Sequence, residues 1–336
     1  MDLVYRQRTL RLGAPFRISR STDTEVELVE VAVSANGATG YGEAAPQDHY
    51  GESVESAVAF LDSCGAALGD DPFALEEIEG RLRSLPGEAA AKAAIDAALH
   101  DLCGKLAGVP AWRLLGVPRR SPPTSYTIWL GDPDDMATRA EATGKRFLRL
   151  KLKLGGRDGL DVERVRAVRK VTEVPLQVDV NEFWSLEEAL DAVPELARLG
   201  VEYVEQPLPA GDPGGAELKR RSELPIYVDE DCHTLEDVAA CAERAHGVNL
   251  KLAKSGGIRE AMRMVHAARA LGLGVMIGCM VESTLGIAAA CPVASLCDHV
   301  DLDGNILLAE DPWDGVELVD GVQLPSERPG LGVVAR

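Results

Sequence analysis

Phe147-Leu148-Arg149-Leu150-Lys151-Leu152-Lys153 opens a series of short apolar segments that each end on a charged residue. Leu176-Gln177-Val178-Asp179, Val204-Glu205-Gln206-Pro207 and Ile226-Tyr227-Val228-Asp229 follow, and then Asn249-Leu250-Lys251-Leu252-Ala253-Lys254-Ser255-Gly256-Gly257. Lys153, Asp179, Glu205, Asp229 and Lys254 are separated by 26, 26, 24 and 25 residues, the length of one strand, loop and amphipathic helix. Extended in both directions, the pattern predicts strands at 125–130, 147–153, 176–179, 203–205, 226–229, 248–252, 275–278 and 300–303. No GxGxxG loop follows the first strand, so an open doubly wound sheet is disfavoured. Eight evenly spaced units predict an α/β fold built on a parallel (β/α)8 barrel.

The flanks read differently. Residues 25–33 alternate and are rich in β-branched side chains, which predicts a strand of a small antiparallel sheet. Residues 52–68 and 88–106 carry apolar side chains at helical spacing, and Gly108-Val109-Pro110 stops the second helix. The stretch 313–336 is rich in Gly and Pro without a helical period. The predicted organisation is an α+β capping domain over 1–120, a catalytic barrel over 121–312, and a tail over 313–336 that returns to the capping domain.

Composition excludes several classes of function. A formal charge of -19 over 336 residues repels phosphate backbones, and Arg119-Arg120 and Lys219-Arg220-Arg221 are too short to reverse it, so no nucleic acid partner is expected. No apolar run approaches the roughly 20 residues that span a bilayer, so no membrane partner is expected. Met1-Asp2-Leu3-Val4-Tyr5 lacks the basic-then-apolar order of a secretory signal. The seven cysteines form no CxxC pair, which suits reduced thiols in the cytoplasm. The oligomeric state, a homo-oligomer included, is left open.

Barrel enzymes carry their chemistry at the C-terminal strand ends. Lys151 and Lys153, two residues apart on a strand, share a face. Asp179, Glu205 and Asp229 end three successive strands. Three converging carboxylates repel one another unless a hard divalent cation such as Mg2+ lies among their oxygens. Lys254 brings a further amine from the side opposite Lys153. Two such lysines can remove a proton from one face of a carbon and return it to the other, provided that the acceptor is neutral.

The motifs KxK, D-x-N (Asp179, Asn181), E-Q-P (Glu205 to Pro207), D-E (Asp229, Glu230) and K-x-G-G (Lys254 to Gly257) occur in this order. With Tyr50-Gly51-Glu52, the helix phrase at 94–102 and the Pro-Gly-Leu-Gly-Val phrase at 329–333, the chain resembles the enolase superfamily, in its muconate-lactonizing subgroup. That superfamily is known for lysine or histidine bases acting beside Mg2+. The resemblance implies an enolase-like modified barrel and one Mg2+ per subunit on Asp179, Glu205 and Asp229. It further implies Lys153 and Lys254 as acid and base, with Lys151 supporting the enolate and Asn181 and Glu282 beside the substrate.

Asp301-Leu302-Asp303, at the end of the eighth strand, is similar to the DxD of the dipeptide epimerases. Alternation puts both carboxylates on one side, where they can bind the free ammonium of a dipeptide. The implied reaction is L-Xaa-L-Yaa to L-Xaa-D-Yaa through an enediolate. o-Succinylbenzoate synthase, N-acylamino acid racemase and muconate cycloisomerase are the alternatives, and their ligands carry no free ammonium. Cys279 and Met280 are expected to line the pocket with Tyr50. His233 and His266 are left outside the site. In Ala-Glu epimerases an arginine shortly after a P-F-x-I-x-R phrase meets the glutamate side chain. The phrase stands here as Pro15 to Arg20, and the arginine's position reads Asp23, which predicts preference for cationic or neutral C-terminal residues. Arg17 and Arg20 are the loop's other candidates for an inward-facing charge.

Overall fold

The computed structural model describes residues 1–143 and 146–336. Three antiparallel strands open the chain: β1 (Asp2–Arg17), β2 (Thr22–Ala35) and β3 (Ala38–Ala44). Asn36 and Gly37 both take positive φ, 52° and 79°, the two-residue turn that matches strand twist. The β1–β2 register shifts between Arg11 and Phe16, so the hairpin tip is bent relative to its base.

The helix Ala89–Ala107 lies against β3, and its alanines allow an unusually close approach. A Cβ on Gly40 or Gly42 would fall 2.0 Å from the carbonyl oxygen of Ala98 or Ala94, so only glycine fits. The predicted helix over 52–68 breaks at Cys64 into Val54–Ser63 and Gly65–Leu68. A further helix, Leu75–Ser84, lies between these two and the helix Ala89–Ala107.

Eight parallel strands follow: β4 (Tyr126–Ile128), β5 (Leu150–Lys153), β6 (Leu176–Asp179), β7 (Val201–Glu205), β8 (Ile226–Val228), β9 (Gly247–Leu250), β10 (Gly274–Gly278) and β11 (His299–Asp301). They hydrogen-bond in sequence order, and a parallel bridge of Thr124 with Val300 brings the first and last strands together, which closes the barrel. The expected barrel is therefore present, with strand ends shifted by a few residues. Phe147, expected in the second strand, instead precedes it and stacks on Tyr126.

The tail forms an antiparallel hairpin, Val316–Val319 with Val322–Pro325, and Trp313 pairs with Ala335. Ala111 N donates to Gly330 O at 2.7 Å and Leu331 N to Asp101 Oδ1 at 2.7 Å, which ties the tail to the helix Ala89–Ala107. Ile258 N donates to Asp96 Oδ2 of the same helix at 2.6 Å, so this helix docks on the barrel beyond β9. The capping elements thereby overhang the strand ends.

Candidate active site

Barrel register puts the charged strand ends in one layer. Lys153 pairs with Asp179 and Asp179 with Glu205 across β5, β6 and β7, while Asp229 follows the last residue of β8. All four are buried. Asn181, Glu182 and Gln206 all have positive φ, 46°, 71° and 34°, so the backbone just beyond β6 and β7 is strained where it turns out of the barrel.

Ammonium groups interleave with these carboxylates. Lys151 Nζ lies 2.7 Å from Asp301 Oδ2, 2.8 Å from Glu205 Oε2 and 3.1 Å from Asp179 Oδ2. Lys153 Nζ lies 2.6 Å from Asp179 Oδ2 and 3.3 Å from Asn181 Oδ1. Burial disfavours the Lys151 ammonium, yet Asp179, Asp301 and Glu205 outweigh it and hold its pKa well above the ordinary lysine value. Burial also opposes ionisation of Asp179, but Lys151 and Lys153 win and depress it. Glu205 goes the other way, pushed up to about 7 by burial and then by Asp179. Glu230, next to Asp229, is likewise pushed up to about 7 by burial and Asp229. The site thus holds more carboxylate than its ammonium groups neutralise.

The donors suit Mg2+: three buried carboxylates, oxygen only, in surplus negative charge. Glu205 Oε2 and Asp229 Oδ2 are buried with a single ammonium group against each, Lys151 at 2.8 Å and Lys251 at 2.7 Å. Those lone pairs stay open to a further cation. Among the described residues, His49, Glu182 and Glu230 at the rim have ligand atoms all within 4.8 Å of one another. Asp179, Glu205 and Asp229 do not meet that spacing: Lys151 bridges Asp179 and Glu205, while Lys251 and Lys254 hold Asp229. The rim group is already bridged by Arg20, whose guanidinium is 2.9 Å from Glu230 Oε1 and 3.4 Å from Glu182 Oε2.

One expectation is corrected here. Lys254 does not face the mouth: its side chain is 0% exposed, and its Nζ donates to Asp229 Oδ1 and to the carbonyls of Asp229, Cys232 and Asn249. Those bonds saturate the ammonium. Lys251, one residue beyond β9, has an 11% exposed side chain that reaches Asp229 Oδ2 at 2.7 Å, and a Cβ on Gly278 of β10 would lie 3.1 Å from its Cε. Burial opposes the Lys251 charge, but Asp229 raises its pKa above the ordinary value. The signal was present in the sequence, because Lys251 holds the same place after its strand as Asp229 does after β8.

The remaining predicted residues separate into two groups. Asp301 Oδ1 accepts from Ser125 Oγ at 2.6 Å and Asp303 Oδ2 from Thr127 N at 2.6 Å, so both carboxylates lie buried where β11 meets β4. Glu282 is buried after β10, its Oε1 accepting from Met280 N at 2.9 Å, and burial pushes it up to about 7. Cys279 Sγ approaches Asp301 O at 3.3 Å, while Met280 packs against the capping cores. Tyr50 is half-buried, its ring edge-on to His233 at 4.6 Å, and the charges of Asp229, Lys251, Glu230 and Arg20 all bear on its hydroxyl. Asp23, by contrast, is exposed and accepts from Ser21 Oγ at 2.9 Å. From the hairpin tip Arg20 reaches the charged strand ends at Glu230, and Ser19 Oγ donates to Asn181 O at 3.3 Å. Asn249 on β9 joins the site without a motif of its own to mark it, its Nδ2 donating to Glu205 Oε1 at 2.7 Å.

Residues 1–116 match the family model described as the mandelate racemase / muconate lactonizing enzyme N-terminal domain, and residues 135–336 match the enolase C-terminal domain-like model. The L-Ala-D/L-Glu epimerase of Bacteroides thetaiotaomicron is 39% identical, covering 99% of this chain and 88% of that protein. A hydrophobic dipeptide epimerase of a Flavobacteria bacterium is 38% identical, covering 99% and 97%. The crystal structure of the dipeptide epimerase of Enterococcus faecalis, complexed with Mg and L-Leu-L-Tyr, superposes with a TM-score of 0.95 at 31% identity, covering 99% of each chain.

Proposed function

Since the chain belongs to the mandelate racemase / muconate lactonizing enzyme family, we propose that its strand-end cluster works as a magnesium-dependent dipeptide epimerase site, inverting the α-carbon of the C-terminal residue. The observation that carries the residue assignment is the placement of Lys153 and Lys251. β5 and β9 stand four strands apart in an eight-stranded barrel, so the two amines face each other across the mouth with β6, β7 and β8 between them.

Asp179, Glu205 and Asp229 are the residues that would hold Mg2+. When bound, the ion supplies positive charge for the substrate carboxylate and for the enediolate that forms as the α-proton leaves. Lys153 and Lys251 exchange that proton, the free amine on one face taking it and the ammonium on the other returning one. General acid–base steps of this kind are each worth about 100- to 10,000-fold. Lys151, buried beneath them, keeps its charge and lies close to the oxygens of the reacting group. Asp301 and Asp303 take the dipeptide ammonium, and Glu282 borders the same space. A free ammonium group is what separates this reading from N-acylamino acid racemisation and muconate cycloisomerisation.

The test is a library of L,L-dipeptides incubated in D2O with enzyme and Mg2+. Mass spectrometry should find one deuterium at the α-carbon of the C-terminal residue, with L,D product accumulating. Absence of exchange from every dipeptide, with exchange from N-acyl amino acids, would transfer the assignment to racemisation of blocked amino acids.

A further inference from the structure

Away from the lysines, a second pair of carboxyl groups meets where the two domains touch. Glu43 is on β3 of the capping sheet, and Glu282 follows β10 of the barrel, 239 positions later. Both are buried. Ser283 N donates to Glu43 Oε1 at 2.8 Å and Ser283 Oγ donates to Glu43 Oε2, while Ser283 Oγ also accepts from Leu285 N at 3.1 Å as the N-cap of the helix Thr284–Ala294. Gly286 of that helix leaves the space into which both carboxyls project: a Cβ there would lie 2.3 Å from Glu282 Oε2 and 3.1 Å from Glu43 Oε1.

Among the described residues no lysine, arginine or histidine makes an ion pair with either carboxyl. The surroundings of Glu43 are otherwise acidic or neutral. Glu30 on β2 is its other charged neighbour and is itself paired with Arg6 and Arg8 and bonded by Trp313 Nε1. Asp101 and Lys105 on the helix behind β3 pair with each other at Tyr41. On the barrel side Asp311 accepts from Thr284, and Lys251 acts on Glu282 only at a distance. Two buried carboxyls that share a site without a cation cannot both ionise.

We propose that Glu43 is a positioning residue for the epimerase, sharing a retained proton with Glu282 across the domain interface and so fixing loop 279–283 against the capping sheet. The proton is what makes the contact attractive, and losing it sets two like charges against each other beside the pocket. Burial, and the Glu282 charge beyond it, push Glu43 up to about 8, in the range where loss of the proton would be felt under assay conditions. This inference rests on the epimerase reading for its kinetic part only.

Glu43→Gln keeps the amide oxygen for Ser283 N while removing the second acid. In the wild type, kcat/KM should fall about tenfold per pH unit above the pair's last ionisation. In Glu43→Gln it should change less than about threefold from pH 7 to pH 9, with the pH 7 value within about threefold of wild type. Ser283→Ala, which removes a hydrogen bond that favours the ionised form, should move the alkaline limb to higher pH. A purely structural role for Glu43 would lower kcat without moving the limb. Infrared difference spectra of the Mg2+-loaded proteins, wild type minus Glu43→Gln at pH 7, should contain the C=O stretch of a buried carboxylic acid. An unchanged alkaline limb in Glu43→Gln, or a difference spectrum with carboxylate bands alone, overturns the proposal. The infrared result stands even if the protein turns over no dipeptide, so failure of the functional reading is distinguishable.

Discussion

Lys251 and Lys254 grip the same carboxylate from its two oxygens: Lys251 Nζ lies 2.7 Å from Asp229 Oδ2, and Lys254 Nζ donates to Oδ1 from beneath. Three residues apart, they have different work. Lys254 also serves the carbonyls of Asp229, Cys232 and Asn249, and its removal takes the ammonium from all three and from Asp229 Oδ1. Lys254→Met should therefore cost about 3 to 5 kcal/mol of stability, read by denaturant unfolding. A variant as stable as wild type would show that Lys254 is not a structural ammonium.

Mg2+ should stabilise as well as activate. Chelation by EDTA should abolish epimerisation and Mg2+ restore it. At about 100 times its Kd, one bound ion raises the unfolding free energy by about 2.7 kcal/mol, visible as a rise in Tm. In Glu205→Gln that rise should shrink sharply. Full turnover in exhaustively chelated protein would contradict the metal role.

Asp303 is pushed up to about 7 by burial and by Asp301. It must be ionised to bind an ammonium, so KM for a free dipeptide should increase as pH falls below about 7. The N-acetylated analogue, which presents no cation, should lack that acid limb. Asp303→Asn should lower kcat/KM for the free dipeptide by about ten- to a hundredfold, the value of one charged hydrogen bond, and affect the blocked compound far less. Equal losses for both would remove the argument for a dipeptide ammonium.

The barrel was legible because parallel strands covered on both faces read as continuous apolar runs, and each of Asp179, Glu205 and Asp229 punctuates one. The choice between Lys251 and Lys254 was not, because both lie in the same apolar phrase. Only the short helical turn after β9 sends one outward and folds the other beneath. An ungapped count from the Pro15–Arg20 phrase lands on Asp23 just past the hairpin tip, and nothing in the composition of that stretch shows that the side chain faces outward. The Glu43–Glu282 approach joins residues from two domains through a glycine gap, so local pattern carried no sign of it.

The hairpin tip yields its own prediction. Asp23→Asn, at an exposed position, should leave the ranking of L-Ala-L-Glu, L-Ala-L-Lys and neutral L-Ala-L-Xaa unchanged within about twofold, as surface substitutions generally do. Arg20→Ala, which frees Glu182 and Glu230, should alter that ranking. Steady-state kcat/KM for the three substrates decides it, and a reordering caused by Asp23→Asn would restore Asp23 as the selector.

The two-base assignment is tested most directly by α-proton exchange in D2O with Lys153→Ala and Lys251→Ala, each started separately from the L,L and the L,D epimer of the best dipeptide. Each variant should exchange the α-proton of one epimer only, opposite epimers for the two variants, with no net epimerisation. Epimerisation at the wild-type rate by Lys251→Ala would contradict the account.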